Sequence, residues 1–164
     1  MKKQSTRPEL PKSETRRGFM KRAGAATAFM IVPRAVLGGE NYIAPSDRLN
    51  IAAVGAAGKG SSDIQSVAHE NIYAICDIDD RRLADTLQQD FAASFRDRTK
   101  TYRDYREMLD SEPEIDAVLI STPDHMHAPI AMHAIGMGKH VYVQKPLCHT
   151  VNECRMLARA AEAN

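Results

Sequence analysis

Leu49-Asn50-Ile51-Ala52-Ala53-Val54-Gly55-Ala56-Ala57-Gly58-Lys59-Gly60 is the stretch on which the reading of the chain turns. Its first half is a short apolar run with little polar alternation, the pattern of a strand covered on both faces in a parallel sheet. Glycines end the run, and Ser61 to His69 then reads as a helix. Working outward, Ile72–Cys76, Ala117–Ile120 and His140–Val143 repeat the apolar run. Helical stretches lie between them. Leu83, Leu87, Phe91 and Phe95 recur every fourth residue as one apolar stripe opposite Arg81, Gln88 and Gln89. Tyr105–Leu109 is a shorter helix, and Ala128–Met137 is closed by Gly138. Val151–Ala163 is capped by Thr150 with Glu153 three residues on. Strands alternating with helices predict a doubly wound parallel α/β sheet over residues 49–164, with residues 40–48 as a linker.

The composition agrees. At 164 residues the chain holds one ordinary domain with a tail, and 43% hydrophobic with 26% charged residues is that of a globular protein. The net charge of +1 hides an asymmetry: residues 1–39 carry +7 and the remainder −6. An acidic folded part with 5% aromatics offers neither a basic stripe nor stacking platforms, so nucleic acid is not an expected partner.

The basic excess calls for a targeting explanation. Thr15-Arg16-Arg17-Gly18-Phe19-Met20-Lys21 precedes an apolar run from Ala23 to Val32, too short for a bilayer span and resembling a twin-arginine export signal. The expectation is export of an already folded chain to the periplasm, with the export machinery as a partner. No clear Ala-x-Ala site follows the run, which leaves an uncleaved membrane tether open. Cys76, Cys148 and Cys154 form no CxxC pair and are odd in number, so free thiols are expected rather than a zinc site or a disulfide framework.

A strand, glycine turn and helix N-terminus make an anion site, because unpaired N–H groups and the helix dipole point at a phosphate. Gly55 and Gly60 occupy the first and third positions of a G-x-G-x-x-G fingerprint; Ala57 holds the second, beside Gly58 and Lys59. By itself this loop reads equally as a plain tight turn. A phosphate loop is excluded, since Lys59 is followed by Gly60 and not Ser or Thr. Asp77 ends the second strand 22 residues after Gly55, where a carboxylate accepts from adenosine ribose hydroxyls; Asp79 is the expected cap of the next helix. Asp77 favours NAD by repelling a 2′-phosphate, while Arg81 and Arg82 pull toward NADP. Ser121, Thr122, Pro123, His125 and His127 follow the Ala117–Ile120 strand at the carboxyl edge, where ligands sit in open α/β sheets. The His-x-His pair without further ligands reads as polar contacts, and no metal is expected. Gln144 and Lys145 end the last strand. Lys145 is either a surface lysine or a donor to a substrate oxygen during hydride transfer.

Taken in order, the glycine turn, Cys76-Asp77-Ile78-Asp79, Ser121-Thr122-Pro123-Asp124-His125-Met126-His127, Gly138-Lys139-His140-Val141-Tyr142 and Gln144-Lys145-Pro146-Leu147 resemble the Gfo/Idh/MocA oxidoreductases, over roughly residues 48–164. The resemblance implies a Rossmann-like domain with Lys145 as the substrate-facing catalytic lysine. It also implies that Gly55, Gly58, Gly60, Asp77, Thr122, Pro123 and His127 line an NAD(P) site. The family's signature is Glu-Lys-Pro; Gln144 removes a carboxylate beside Lys145. Members carry a larger C-terminal α/β domain with most substrate contacts and an oligomer surface, and this chain ends at Asn164. The expectation is therefore the nucleotide-binding half of an exported oxidoreductase acting on a sugar, polyol or related carbohydrate. The intact protein would be a homo-oligomer, and the 164-residue chain inactive alone, as a fragment or truncated product. Two alternatives stand beside it: a glycosidase of the same family that uses bound NAD in a transient oxidation, and a nucleotide-binding module without catalysis.

Overall fold

A computed structural model describes residues 43–164. The expected leader, residues 1–39, lies outside the described residues, as does the start of the expected linker. From Ala44 to Asn164 the chain forms one compact unit.

Among the described residues five segments are strands: β1 (Asn50–Val54), β2 (Asn71–Cys76), β3 (Lys100–Tyr102), β4 (Ala117–Ile120) and β5 (His140–Val143). All pairings are parallel and the order is β3-β2-β1-β4-β5. Among the described residues four α-helices connect them, α1 (Lys59–Ser66), α2 (Asp80–Gln88), α3 (Tyr105–Ser111) and α4 (His127–Gly136), and α5 (Val151–Ala163) follows β5. Successive strand residues point to opposite faces, and each face builds its own core. Ile51, Ala53, Ile72, Ile75 and Leu119 pack against Ile64 of α1 and Leu83 of α2. Ala52, Val54, Ala74, Val118 and Ile120 pack against Met108 of α3, Ile130 and Ala134 of α4, and Leu157 of α5. The strand order reverses at β1, so the connections leave β1 and β4 toward opposite sides and open a crevice at their carboxyl ends.

The helix caps follow the sequence. Asp79 is the N-cap of α2 and accepts from the Arg81 N–H at 3.0 Å. Thr150 and Glu153 complete a reciprocal capping box on α5.

Four expectations are corrected. The stripe from Leu83 to Phe95 is not one helix: α2 stops at Gln88, Gln89 is extended (φ −68°, ψ 153°), and Asp90–Ser94 forms a 3-10 turn. That break brings the Phe95 ring into the core of Ile72 and Ile75 at 1% exposure, so burial of a large ring overrides four-residue spacing. The first helix begins at Lys59 and not Ser61, and ends at Ser66 and not His69. Strand β3 was not expected, because its three residues are polar and largely exposed; pairing with Ala74–Cys76 creates it. β5 is not covered on both faces: it is the sheet edge, and Tyr142 is 59% exposed.

Candidate functional site

The glycine turn is shaped by close approach. Gly55 has φ +91°, and a side chain there would sit 2.7 Å from the Ser121 carbonyl oxygen on the neighbouring strand end. At Gly60 a Cβ would lie 2.0 Å from the Gly55 carbonyl oxygen, so only glycine lets the first turn of α1 fold back onto β1. The loop is held by Gly55 N–H donating to the Cys76 carbonyl (2.9 Å) and Gly60 N–H to that of Ala57 (3.0 Å). Among the described residues no acceptor faces the N–H groups of Ala57, Gly58 or Lys59. Three open donors at a helix N-terminus are the arrangement that receives a phosphate.

Asp77 stands beside this turn. One carboxylate oxygen accepts from the Ala56 N–H (2.8 Å) and the other from the Asp79 N–H (3.0 Å). These bonds orient the carboxylate and leave it lone pairs toward the cleft. The surrounding arginines are already engaged: Arg81 forks onto Asp79 (3.1 and 3.0 Å), Arg82 approaches the same carboxylate, and Arg103 bonds Asp80 (2.9 Å). The Arg81 guanidinium holds the Asp79 carboxyl below its usual range. Cys76, on the cleft floor, is pushed up to about 12 by burial and then by Asp104, Asp77 and Glu107, so it remains a thiol.

A cleft of about 430 Å³ lies along the carboxyl edge of β1, β2 and β4. Of the residues singled out in the sequence, Gly55, Ala57, Asp77, Ser121, Thr122, Pro123 and His125 line it. Thr122 Oγ1 is buried and has no hydrogen-bond partner. An orphaned buried hydroxyl beside open N–H groups and a poised carboxylate fits a polyhydroxylated phosphate ligand, and the residues present thus accommodate a nicotinamide dinucleotide.

Gly58, Lys59, Gly60, His127, Gln144 and Lys145 are not on that cleft wall. Gly58 and Lys59 are exposed at the start of α1. Gln144 is buried and Lys145 exposed at the end of β5. His127 is 1% exposed, with Nδ1 2.7 Å from the Pro146 carbonyl oxygen and Nε2 2.8 Å from that of Thr122. The imidazole thereby ties the loop after β4 to the cis Lys145–Pro146 peptide. His125 is exposed beside Asp124, so the two histidines do not converge. His133 packs edge-on against Tyr105.

Sequence reasoning missed Asp63. This carboxylate is 6% exposed and gathers two strand ends onto α1: it accepts from Ser121 Oγ after β4 (2.8 Å) and Gln144 Nε2 after β5 (3.1 Å), and pairs within the helix with the Lys59 ammonium. Gln144 Oε1 in turn accepts from the Lys145 N–H at 3.1 Å. Lys145 is therefore pinned on one side through Gln144 to α1 and on the other through Pro146 to His127. The signal for Asp63 was the Lys59/Asp63 i,i+4 spacing, which ordinarily marks only a surface ion pair.

Fold and site together define a dinucleotide-binding α/β domain. A family profile described as an oxidoreductase family with an NAD-binding Rossmann fold matches residues 49–164, and the chain belongs to that family, Gfo/Idh/MocA. A relative named glycosyl hydrolase family 109 protein 1, from Shewanella sp. (strain ANA-3), is 31% identical over 170 residues. That match covers 90% of this chain and 37% of the relative, so the chain spans little more than a third of the curated relatives it matches. Among solved structures, GenD2 from gentamicin A biosynthesis in complex with NAD is 26% identical with a TM-score of 0.63, covering 81% of this chain and 35% of that one. The myo-inositol 2-dehydrogenase of Lactobacillus plantarum is 25% identical with a TM-score of 0.61, covering 71% and 33%.

Proposed function

We propose that this chain is the nucleotide-binding part of an exported oxidoreductase that binds NAD in preference to NADP and oxidises or reduces a sugar, polyol or related carbohydrate. The observation that carries the reading is the conjunction of three open N–H groups on the glycine turn, the Asp77 carboxylate and the orphaned Thr122 hydroxyl at the point where strand order reverses. Bound nicotinamide supplies hydride acceptance or donation. The residues of this chain do the rest. The open donors of residues 57–59 receive the diphosphate, and Asp77 accepts from the adenosine ribose. Arg81 and Arg103 hydrogen-bond Asp79 and Asp80 and Arg82 leans toward Asp79, so none of the three pairs with Asp77, whose own charge repels a 2′-phosphate, which supports NAD. Lys145, exposed on a backbone held from both sides, donates a hydrogen bond or proton to the substrate oxygen as charge develops there. The leader pattern at Arg16-Arg17 supports export to the periplasm by the twin-arginine route, and the acidic folded part fits a small-molecule substrate.

A second reading is favoured by the relatives named glycosyl hydrolase family 109, from 31 to 32% identical: a glycosidase that oxidises its sugar transiently and returns the nucleotide unchanged. Hydrolysis of a glycoside without net reduction of NAD selects this reading, and net NADH formation with a free sugar selects the dehydrogenase. Calorimetry of the full-length protein with each nucleotide tests what both share. NAD should bind at least about tenfold tighter than NADP, and Asp77→Ala should weaken NAD by about 1–3 kcal/mol while narrowing that preference. Uptake of neither nucleotide rejects both.

A further inference from the structure

Outside the nucleotide site, the chemistry-bearing pair that stands out is Cys148 and Cys154. Their Sγ atoms lie 2.8 Å apart, in contact, although neither is bonded to another residue. The chain builds this contact locally. The Thr150–Glu153 capping box fixes the first turn of α5, and Cys154 N–H bonds the Thr150 carbonyl at 3.2 Å, so the Cys154 side chain is held over the turn N-terminal to it. Cys148, two residues before the cap, folds back onto it. In a purely apolar version of this arrangement the two side chains would act as a staple on the helix entry. Two thiols at this separation can instead be joined, since their sulfurs already converge and the intervening loop is short. The third cysteine, Cys76, sits on the floor of the nucleotide cleft and takes no part.

We propose that Cys148 and Cys154 are a disulfide-forming pair, a covalent modification site that ties the segment following Lys145-Pro146 to the first turn of α5. The two thiols differ in access. Cys154 is half-buried, whereas Cys148 is 8% exposed and burial, followed by the Cys154 hydrogen bond, pushes it up to about 11. Cys154 is therefore the entry point and Cys148 the resolving thiol. The Cys154 thiolate attacks one sulfur of a small-molecule disulfide and expels one thiolate. Cys148 then loses its proton and attacks the Cys154 sulfur of the mixed disulfide, expelling the second. Two protein thiols and one reagent disulfide become one protein disulfide and two reagent thiols; the two electrons pass to the reagent and the two thiol protons to its leaving groups. The consequence for the site is mechanical. Cys148 is three residues from Lys145, so closing the bridge stiffens the backbone that presents that lysine.

The sequence makes the test clean. Trypsin does not cut at Lys145-Pro146, so His140–Arg155 is released as one peptide holding both cysteines, while Cys76 leaves on Gly60–Arg81. The full-length protein is equilibrated with oxidised glutathione, remaining thiols are alkylated under denaturing conditions, and the peptides are weighed. The expected result is a His140–Arg155 peptide lighter than its reduced form by two hydrogens and free of alkyl groups, with Cys76 alkylated. Cys154→Ser should abolish the mass loss and leave Cys148 alkylated or glutathionylated. Two alkyl groups on His140–Arg155 after equilibration overturn the proposal, as does a bridge from either residue to Cys76 or to a second chain.

Discussion

Replacing Gln144 by Glu reinstates the first residue of the family's Glu-Lys-Pro signature, and the structure predicts that this chain will tolerate it poorly. Gln144 Nε2 donates to Asp63 Oδ1 at 3.1 Å, and both side chains are buried. A glutamate would set two carboxylates face to face. At this distance, with an effective dielectric near 20, the repulsion of two full charges is roughly 5 kcal/mol. The cheaper escape is to bind a proton: holding a carboxyl of ordinary pKa about 4.3 protonated at pH 7 costs roughly 3–4 kcal/mol. The Lys59 ammonium on Asp63 relieves part of this, leaving a destabilisation of about 2–3 kcal/mol at pH 7. The sign of the pH dependence follows. Above the ordinary carboxylate range the folded variant holds a proton that its unfolded chain has released, so its stability relative to the parent falls as pH rises. The deficit should be nearly absent around pH 4 and full at neutrality. Urea unfolding followed by circular dichroism across that range measures it, and Asp63→Asn combined with Gln144→Glu should recover most of the loss by giving the glutamate an amide donor. A Gln144→Glu midpoint equal to the parent at pH 7, or a deficit independent of pH, refutes the reasoning.

Other expectations are more direct. Gly60→Ala places a methyl 2.0 Å from the Gly55 carbonyl oxygen, so it should remove nucleotide binding by calorimetry and destabilise the domain by about 1–3 kcal/mol, because the backbone has to move. At the opposite edge of the sheet, Glu112 is buried and accepts from Lys100 (2.6 Å) and Tyr102 (2.5 Å). Lys100 and then Tyr102 hold its carboxyl below the usual range, and the hydrogen bond to Glu112, followed by burial, pushes the Tyr102 phenol up to about 12. The stabilisation is complete above the ordinary glutamate range and is lost as pH falls through the lowered folded value. Glu112→Gln should therefore be less stable than the parent at pH 7, with the gap closing on acidification in the same unfolding assay.

Much of this protein is local, and what is local can be read directly from the chain. The apolar runs of β1, β2, β4 and β5, the Asp79 cap and the Thr150–Glu153 box depend on residues within a few positions of one another, so composition and spacing specify them. Gly55, Gly60 and Asp77 were legible for the same reason: the strand, turn and helix that use them are contiguous. Other features depend on partners far apart in the chain. β3 is a strand only because β2 lies beside it, and α2 breaks at Gln89 because the Phe95 ring gains more from the core than from a continuing helix. Asp63 looks like a surface charge until folding brings Gln144, 81 residues later, and Ser121, 58 residues later, against it. His127 reads as a ligand-facing residue until the Pro146 and Thr122 carbonyls close on both ring nitrogens. A side chain's neighbours along the sequence set its backbone; its role is set by polar groups that must be satisfied once water is gone, and only the tertiary structure decides which groups those are.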